Sequence, residues 1–156
     1  MDIVYLTRDF AACLIAVLFY CILMSLPKKA LIASSVLGAL TYLMYRIIFL
    51  FGYEMAGYLA ATLFAALSSE ILARVMKMPT TIFVFPGIIP LVPGVGLHNS
   101  MRCLINNDIS GFVHQGIKTL FISGTIAVTV AVVNASFRNF TAKNAESKGF
   151  SPLSRK

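Results

Sequence analysis

Five apolar runs govern what this chain can fold into: Phe10–Leu26, Ala30–Leu50, Ala56–Ala73, Thr80–Ile105 and Thr119–Phe137. A helix rises about 1.5 Å per residue and a bilayer's hydrocarbon core is about 30 Å thick, so each run is long enough to cross, the first barely. The rest of the composition agrees. Of 156 residues 58% are hydrophobic and 12% charged, too few charges to cover a soluble domain. No hydrophilic block is long enough for a separate domain. The expectation is one all-α membrane domain over 1–156, with five spans and a basic tail from 138 to 156.

The net charge of +7 does not point to nucleic acid, because the basic residues sit where apolar runs end. Lys28 and Lys29 follow the first run, Arg74 and Lys77 close the third, and Arg138, Lys143, Lys148, Arg155 and Lys156 follow the fifth. With five crossings these clusters share one side. Asp2, Arg8, Asp9, Glu54, Asp108 and Lys118 share the other. The positive-inside rule then puts the N-terminus outside and the C-terminus in the cytoplasm. Arg8 before an apolar run resembles a signal sequence, but no small-x-small cleavage site follows, so a retained helix is expected. Asn106–Lys118 reads as a short polar connection, and the tail as frayed.

The fourth run contains "PGIIPLVPGVG", residues 86–96. Pro86, Pro90 and Pro93 cannot donate a backbone hydrogen bond, and Gly87, Gly94 and Gly96 loosen what remains. Freed backbone groups cannot face lipid; they must be buried in protein or line a watery cavity. Two readings stay open: a discontinuous helix that binds solute near the midplane, or two short interfacial stretches joined by an ordinary loop.

The ionisable residues near membrane depth also have two readings each. Arg46 either snorkels to the outer interface or faces the bundle as a carboxylate-binding cation. Glu70 and Arg74 have the spacing of an intrahelical ion pair, against a role in ion coupling. His98 and Arg102 share a helical face and, with Asn99, either line the mouth of a pathway or form a solvated helix end. Two stripes of small residues, Gly57, Ala61, Ala65, Ser69 and Ser123, Ala127, Ala131, Ala135, have the spacing of helix-packing faces, within the subunit or towards a partner.

Catalytic signatures are missing. His98 and His114 flank Asp108 without metal-ligand spacing, and there is no nucleophile elbow, phosphate loop or cofactor motif. Cys13, Cys21 and Cys103 form no disulfide or metal pattern. The chain reads as a non-enzyme without cofactor or metal.

Taken in order, several elements add up to a resemblance. Pro27-Lys28-Lys29 closes the first run, "LGAL" at Leu37–Leu40 leads to Arg46, Arg74 precedes Pro79, and "FPGIIPLVPG" spans Phe85–Gly94. Over roughly Leu14–Arg138 this resembles the small, YjjB-like subunit of the threonine/serine exporter family, the proline–glycine core at Pro90–Gly94 being its most specific mark. The resemblance implies a multi-pass bacterial inner-membrane protein that exports small polar metabolites: threonine and serine, or dicarboxylates such as succinate. It implies alternating access with a larger YjjP-like membrane partner, and carries over Arg46, Pro90, Pro93 and Gly94. A non-transporting assembly subunit of such a complex is the alternative.

Overall fold

The computed structural model describes residues 3–147, with side chains over 7–137. Helix follows helix: α1 Ile3–Leu23, α2 Lys28–Leu50, α3 Glu54–Met76, α4 Thr81–Ile88, a 3-10 turn Ile89–Leu91, α5 Gly94–Ile105 and α6 Ile109–Ser147. No strand occurs among the described residues. By length and apolarity α2, α3 and α6 (over 109–137) can each cross a membrane, and α4 with α5, bent by 47°, is apolar enough to form either a broken fourth span or a re-entrant loop. Asp2, Lys148, Arg155 and Lys156 lie outside the described residues, as do the side chains of Arg138 and Lys143.

The connections are short, and three helices close alike. Ser25, Lys77 and Asn107 take left-handed backbone angles at φ 52°, 53° and 56°. In each case the next N–H reaches back across the end of the helix: Leu26 to the Cys21 carbonyl at 3.1 Å, Met78 to Ala73 at 3.0 Å, Asp108 to Cys103 at 2.9 Å. Carbonyls that would otherwise end unpaired are satisfied this way. Two expected boundaries are corrected as a result. The first helix ends at Leu23, and the polar connection shrinks to residues 106–108. What read as a loop up to Lys118 is helix, because Asp108 caps it: its Oδ1 accepts from the Gly111 N–H at 3.0 Å and the Ser110 hydroxyl at 2.9 Å. The backbone expected to fray from 138 is likewise helical as far as Ser147.

Helix α6 is fastened to α3 at two levels. Lys118 Nζ donates to Glu54 Oε2 at 2.7 Å, and the Arg74 guanidinium lies 4.6 Å from the Phe137 ring centroid. The helices are therefore antiparallel. Along α3 the two fastenings are about 30 Å apart at ~1.5 Å per residue, the thickness of a hydrocarbon core. The broken run leaves α3 at the Arg74 end and meets α6 beyond the Glu54 end, so it runs from one end of the bundle to the other. One end of the bundle collects Lys28, Lys29, Arg74 and Lys77. The other collects two ion pairs, Lys118–Glu54 and Arg46–Asp9 at 3.5 Å. These are the basic end and the paired end.

The broken run owes its place to α2. Pro86 lacks an N–H and so leaves the carbonyl of Ile82 without its donor one turn on; Pro90 does the same to Pro86. Both orphans face α2. Ser34 Oγ donates to the Ile82 carbonyl at 3.3 Å. Gly38, one turn further, lets the Pro86 carbonyl in so close that a Cβ at Gly38 would stand 2.7 Å from it and 2.9 Å from Val17 of α1. The fourth helix breaks at Pro93, the centre of an inverse γ-turn (φ −77°, ψ 57°) closed by Gly94 N–H to the Val92 carbonyl at 2.7 Å. Gly94 and Gly96, expected to loosen the backbone, lie inside α5.

The first small-residue stripe is the seam of the bundle. Gly57, Ala61, Ala65 and Ser69 are all buried. Gly57 packs on Tyr45 and Ala65 on Gly87, while Ala61 joins Leu91, Ile122 and Ile126 in one cluster. The second stripe, Ser123, Ala127, Ala131 and Ala135, is exposed throughout and joins no core within this chain.

Two measurements check this packing. Gly38→Ala is expected to lower stability by about 1–3 kcal/mol through overpacking, seen as a fall in the detergent unfolding midpoint. Gly116→Ala, whose Cβ meets nothing within 4 Å, is expected to be neutral or stabilising. Separately, Ser34→Ala is expected to cost about 0.5–2 kcal/mol in the native background and markedly less beside Pro86→Ala, which restores the Ile82 donor. Simple additivity in that double-mutant cycle refutes the orphan-carbonyl account.

Candidate functional site

At the basic end, α3, α4 and α6 enclose a cavity of about 410 Å³ lined by Glu70, Thr80, Thr81, Val84, Phe85, Ile88, Val130 and Asn134. That is the size of a small-metabolite site. Each polar group arrives for a local reason. Glu70 follows Ser69 on α3 and is carried inward with it, to 8% exposure. Thr80 and Thr81 open α4 just after the turn at Lys77. Asn134 lies one turn before Phe137, whose contact with Arg74 sets the rotation of α6.

Electrostatically the cavity is one-sided. Glu70 is its only charged lining residue. The Arg74 guanidinium approaches the Glu70 carboxylate to 3.8 Å from the rim, with its own side chain 49% exposed. The expected intrahelical pair therefore forms, at long range. The Asn134 side-chain oxygen is buried and has no hydrogen-bond partner, alone in this among the described residues. A buried acceptor left unmet costs about 1–3 kcal/mol, and this oxygen is closed off from the cavity that its residue lines.

A larger groove, about 780 Å³, runs along α3 and α6 past Leu59, Leu120, Phe121, Thr125 and Val128. Its threonines already donate within their helix, Thr125 to the Phe121 carbonyl at 2.8 Å and Thr129 to Thr125 at 2.7 Å. It offers a polar solute no charged group, and no hydroxyl donor that is not already engaged.

Other expected site residues lie apart from the cavity. Arg46 is half-buried at the paired end and bound to Asp9. Pro86 and Gly87 are buried in the packing of α4, while Pro90 and Pro93 are half-buried and Gly94 is exposed. Gly96 is pressed against the Thr119 hydroxyl, docking α5 on α6. His98 and Arg102 point outward from α5, with Asn99 half-buried; none of the three lines either cavity. The freed carbonyls of Ile82 and Pro86 face α2. Sequence reasoning reached Glu70 and Arg74 but missed Thr80, Thr81 and Asn134. Asn134, the one amide in the apolar part of the last run, was the available signal.

Antiparallel apolar helices about a proline-broken one, with a polar cavity at one end, define a helical membrane protein. The chain matches the family described as Threonine/Serine exporter, ThrE, over residues 9–136 and belongs to it. The family is one of transporters. No curated protein and no solved structure matches the chain.

The cap of α6 makes a pH prediction. The Gly111 N–H, then the Ser110 hydroxyl, hold the Asp108 carboxyl below its ordinary value. A depressed carboxyl contributes stability that is present above its unfolded pKa and fades as pH falls through the folded one. A spin label at Ile105 is thus expected to gain mobility as the medium is acidified through the carboxylate range. Asp108→Ala should be mobile at every pH, and an unchanged profile in that variant defeats the assignment.

Proposed function

We propose that the chain is the membrane subunit of an exporter for small polar metabolites, threonine and serine or a dicarboxylate such as succinate. It works with a larger YjjP-like membrane partner in the bacterial inner membrane by alternating access. The observation that carries this reading is the polar cavity at the basic end of a bundle whose family is one of threonine/serine exporters. The charge pattern supports placing that end in the cytoplasm, with α1 as a fifth crossing and the N-terminus outside.

Under this reading the cavity at the basic end opens to the cytoplasm, as an inward-facing state requires. The cavity has exposed Thr81 and Phe85 at its rim. Towards the paired end the path is filled by Leu91 packed on Ala61, Ile122 and Ile126, and by the Tyr45 and Tyr58 rings, tilted at 40° with centroids 4.5 Å apart. The Arg46–Asp9 and Lys118–Glu54 pairs then act as outer fastenings, broken and remade in each cycle. Pro93 is the hinge, because its γ-turn is where α4 hands over to α5. Pro90 and Gly94 flank that hinge. His98, Asn99 and Arg102 move with α5, at the outer mouth.

The outward stripe from Ser123 to Ala135 favours one further reading, an assembly subunit that only stabilises the partner through this face. Uptake of labelled threonine, serine and succinate into everted vesicles separates the two. Vesicles holding both chains are expected to accumulate solute, and vesicles holding either chain alone should not. Pro93→Ala is expected to reduce the rate by about tenfold with the complex intact. Full-rate transport by the partner alone establishes the assembly role instead.

A further inference from the structure

The start of α6 reaches past the bundle, and α5 goes with it. Lys118 pairs with Glu54, the first residue of α3, so residues 109–117 extend beyond that level by about 14 Å at ~1.5 Å per residue. Gly96 lies against Thr119, and a Cβ at Gly111 would stand 3.0 Å from the Cys103 thiol. Helix α5 therefore runs antiparallel to α6 along this extension, and α6 is its main support. The two form a helical hairpin outside the level where the Lys118–Glu54 and Arg46–Asp9 pairs bound the apolar bundle.

The hairpin has two unlike flanks. Helical spacing places Leu97, Met101 and Leu104 on one flank of α5, and His98 and Arg102 on the other. Because α6 is antiparallel, its Ile109, Val113 and Leu120 share the first flank and His114 the second. The apolar flank is uncovered: Leu97 is 53% exposed and Ile109 69%. Outside hydrocarbon such a face meets water, and hiding it is favourable.

The same flank continues down α6, in helical register, as the small-residue stripe from Ser123 to Ala135. Its chemistry changes with depth as a helix-packing face requires. Beyond the charged level, where burial away from water drives association, the residues are large. Within the apolar length, where lipid removes that drive and close backbone approach takes its place, they are small. A stripe facing lipid has the reverse grading, large within hydrocarbon and polar beyond it. Protein is thus a better cover for this flank than lipid.

We propose that this flank is the contact between two copies of the chain, paired about a two-fold axis along the membrane normal with their α6 helices side by side. Two copies share one orientation in the membrane, so each residue of the stripe meets its counterpart at its own depth. The flank is uncharged, while His98, Arg102 and His114 lie on the far side, so pairing sets no like charges together. From Ile109 to Ala135 the stripe is about 40 Å long and ~12 Å wide. With the α5 residues added, roughly 500 Å² closes on each copy, and the pair reaches the ~1,000 Å² at which specific interfaces begin. The proposal concerns assembly and does not rest on the transport reading.

The test combines cross-linking in native membranes with energy transfer in liposomes, using the full-length chain alone and beside the larger partner. Val113→Cys and Ala127→Cys are expected to give disulfide-linked dimers on mild oxidation, above the baseline set by the native cysteines. His114→Cys, on the far flank, is not. Energy transfer between differently tagged copies is expected to fall as the chain is diluted into lipid. Ala127→Trp or Val113→Glu should weaken the pairing about tenfold or more, and His114→Glu should leave it unchanged. The small cysteine replacements decide the matter even if a bulky or charged variant does not fold. Copies that stay monomeric at every density overturn the proposal, as do dimers indifferent to both Ala127→Trp and Val113→Glu. A Val113→Cys disulfide to the larger partner in place of the second copy also overturns it. Solute uptake by the same vesicles reads the transport function separately: pairing through this flank without uptake upholds the interface and removes transport alone.

Discussion

The arrangement depends on how α2 receives two carbonyls that proline has orphaned. Prolines at 86 and 90 would expose unpaired backbone in the apolar middle of the bundle, a cost of several kcal/mol per group in lipid. Ser34 answers the first with a hydroxyl and Gly38 the second by having no side chain. These residues are one helical turn apart, as are the two orphans, so α2 and α4 can meet along one line only. Once that line is set, Gly87 comes against Ala65 of α3, and Leu91 reaches Ala61 and the isoleucines of α6. The break that follows at Pro93 is placed by this packing, and with it the transfer of the chain to α5.

Around this core the two ends differ in chemistry. The paired end is closed by complementary charges and two tyrosine rings in tilted contact. The basic end has a cavity whose lining carries one charged residue, Glu70. A transporter needs such asymmetry, since a site reachable equally from both sides is a leak. Its cost is local: Asn134 goes without a partner, and Glu70 is held at a longer distance than an optimal pair adopts.

The legible part of the site was the part with local spacing. Glu70 and Arg74 could be read because residues four apart on a helix are neighbours wherever the helix goes. Asn134, Thr80 and Thr81 could not, since they become one wall only when α6 and the start of α4 meet beside α3. The two small-residue stripes make the same point. Gly57–Ser69 and Ser123–Ala135 follow one pattern, yet the first is buried and the second exposed, because α2, α4 and α6 crowd α3 while the outer face of α6 has no neighbour in this chain. Residues 109–118 were misread for a related reason. Their polarity suggested a loop, but the Asp108 cap and the packing of α5 on that stretch outweigh composition.

By itself the sequence determined the class, the presence of long apolar helices and the presence of a break in the fourth run. Each of these follows from the cost of placing charge or unpaired backbone in hydrocarbon, which is a property of the segment alone. Only the tertiary structure decided what the broken backbone faces, which stripe is a seam and where the polar cavity lies. Those depend on which side chains from distant segments come within a few ångströms of each other. The prolines announced unpaired carbonyls; that Ser34 and Gly38 meet them, and no solute does, is settled by how α2 is turned.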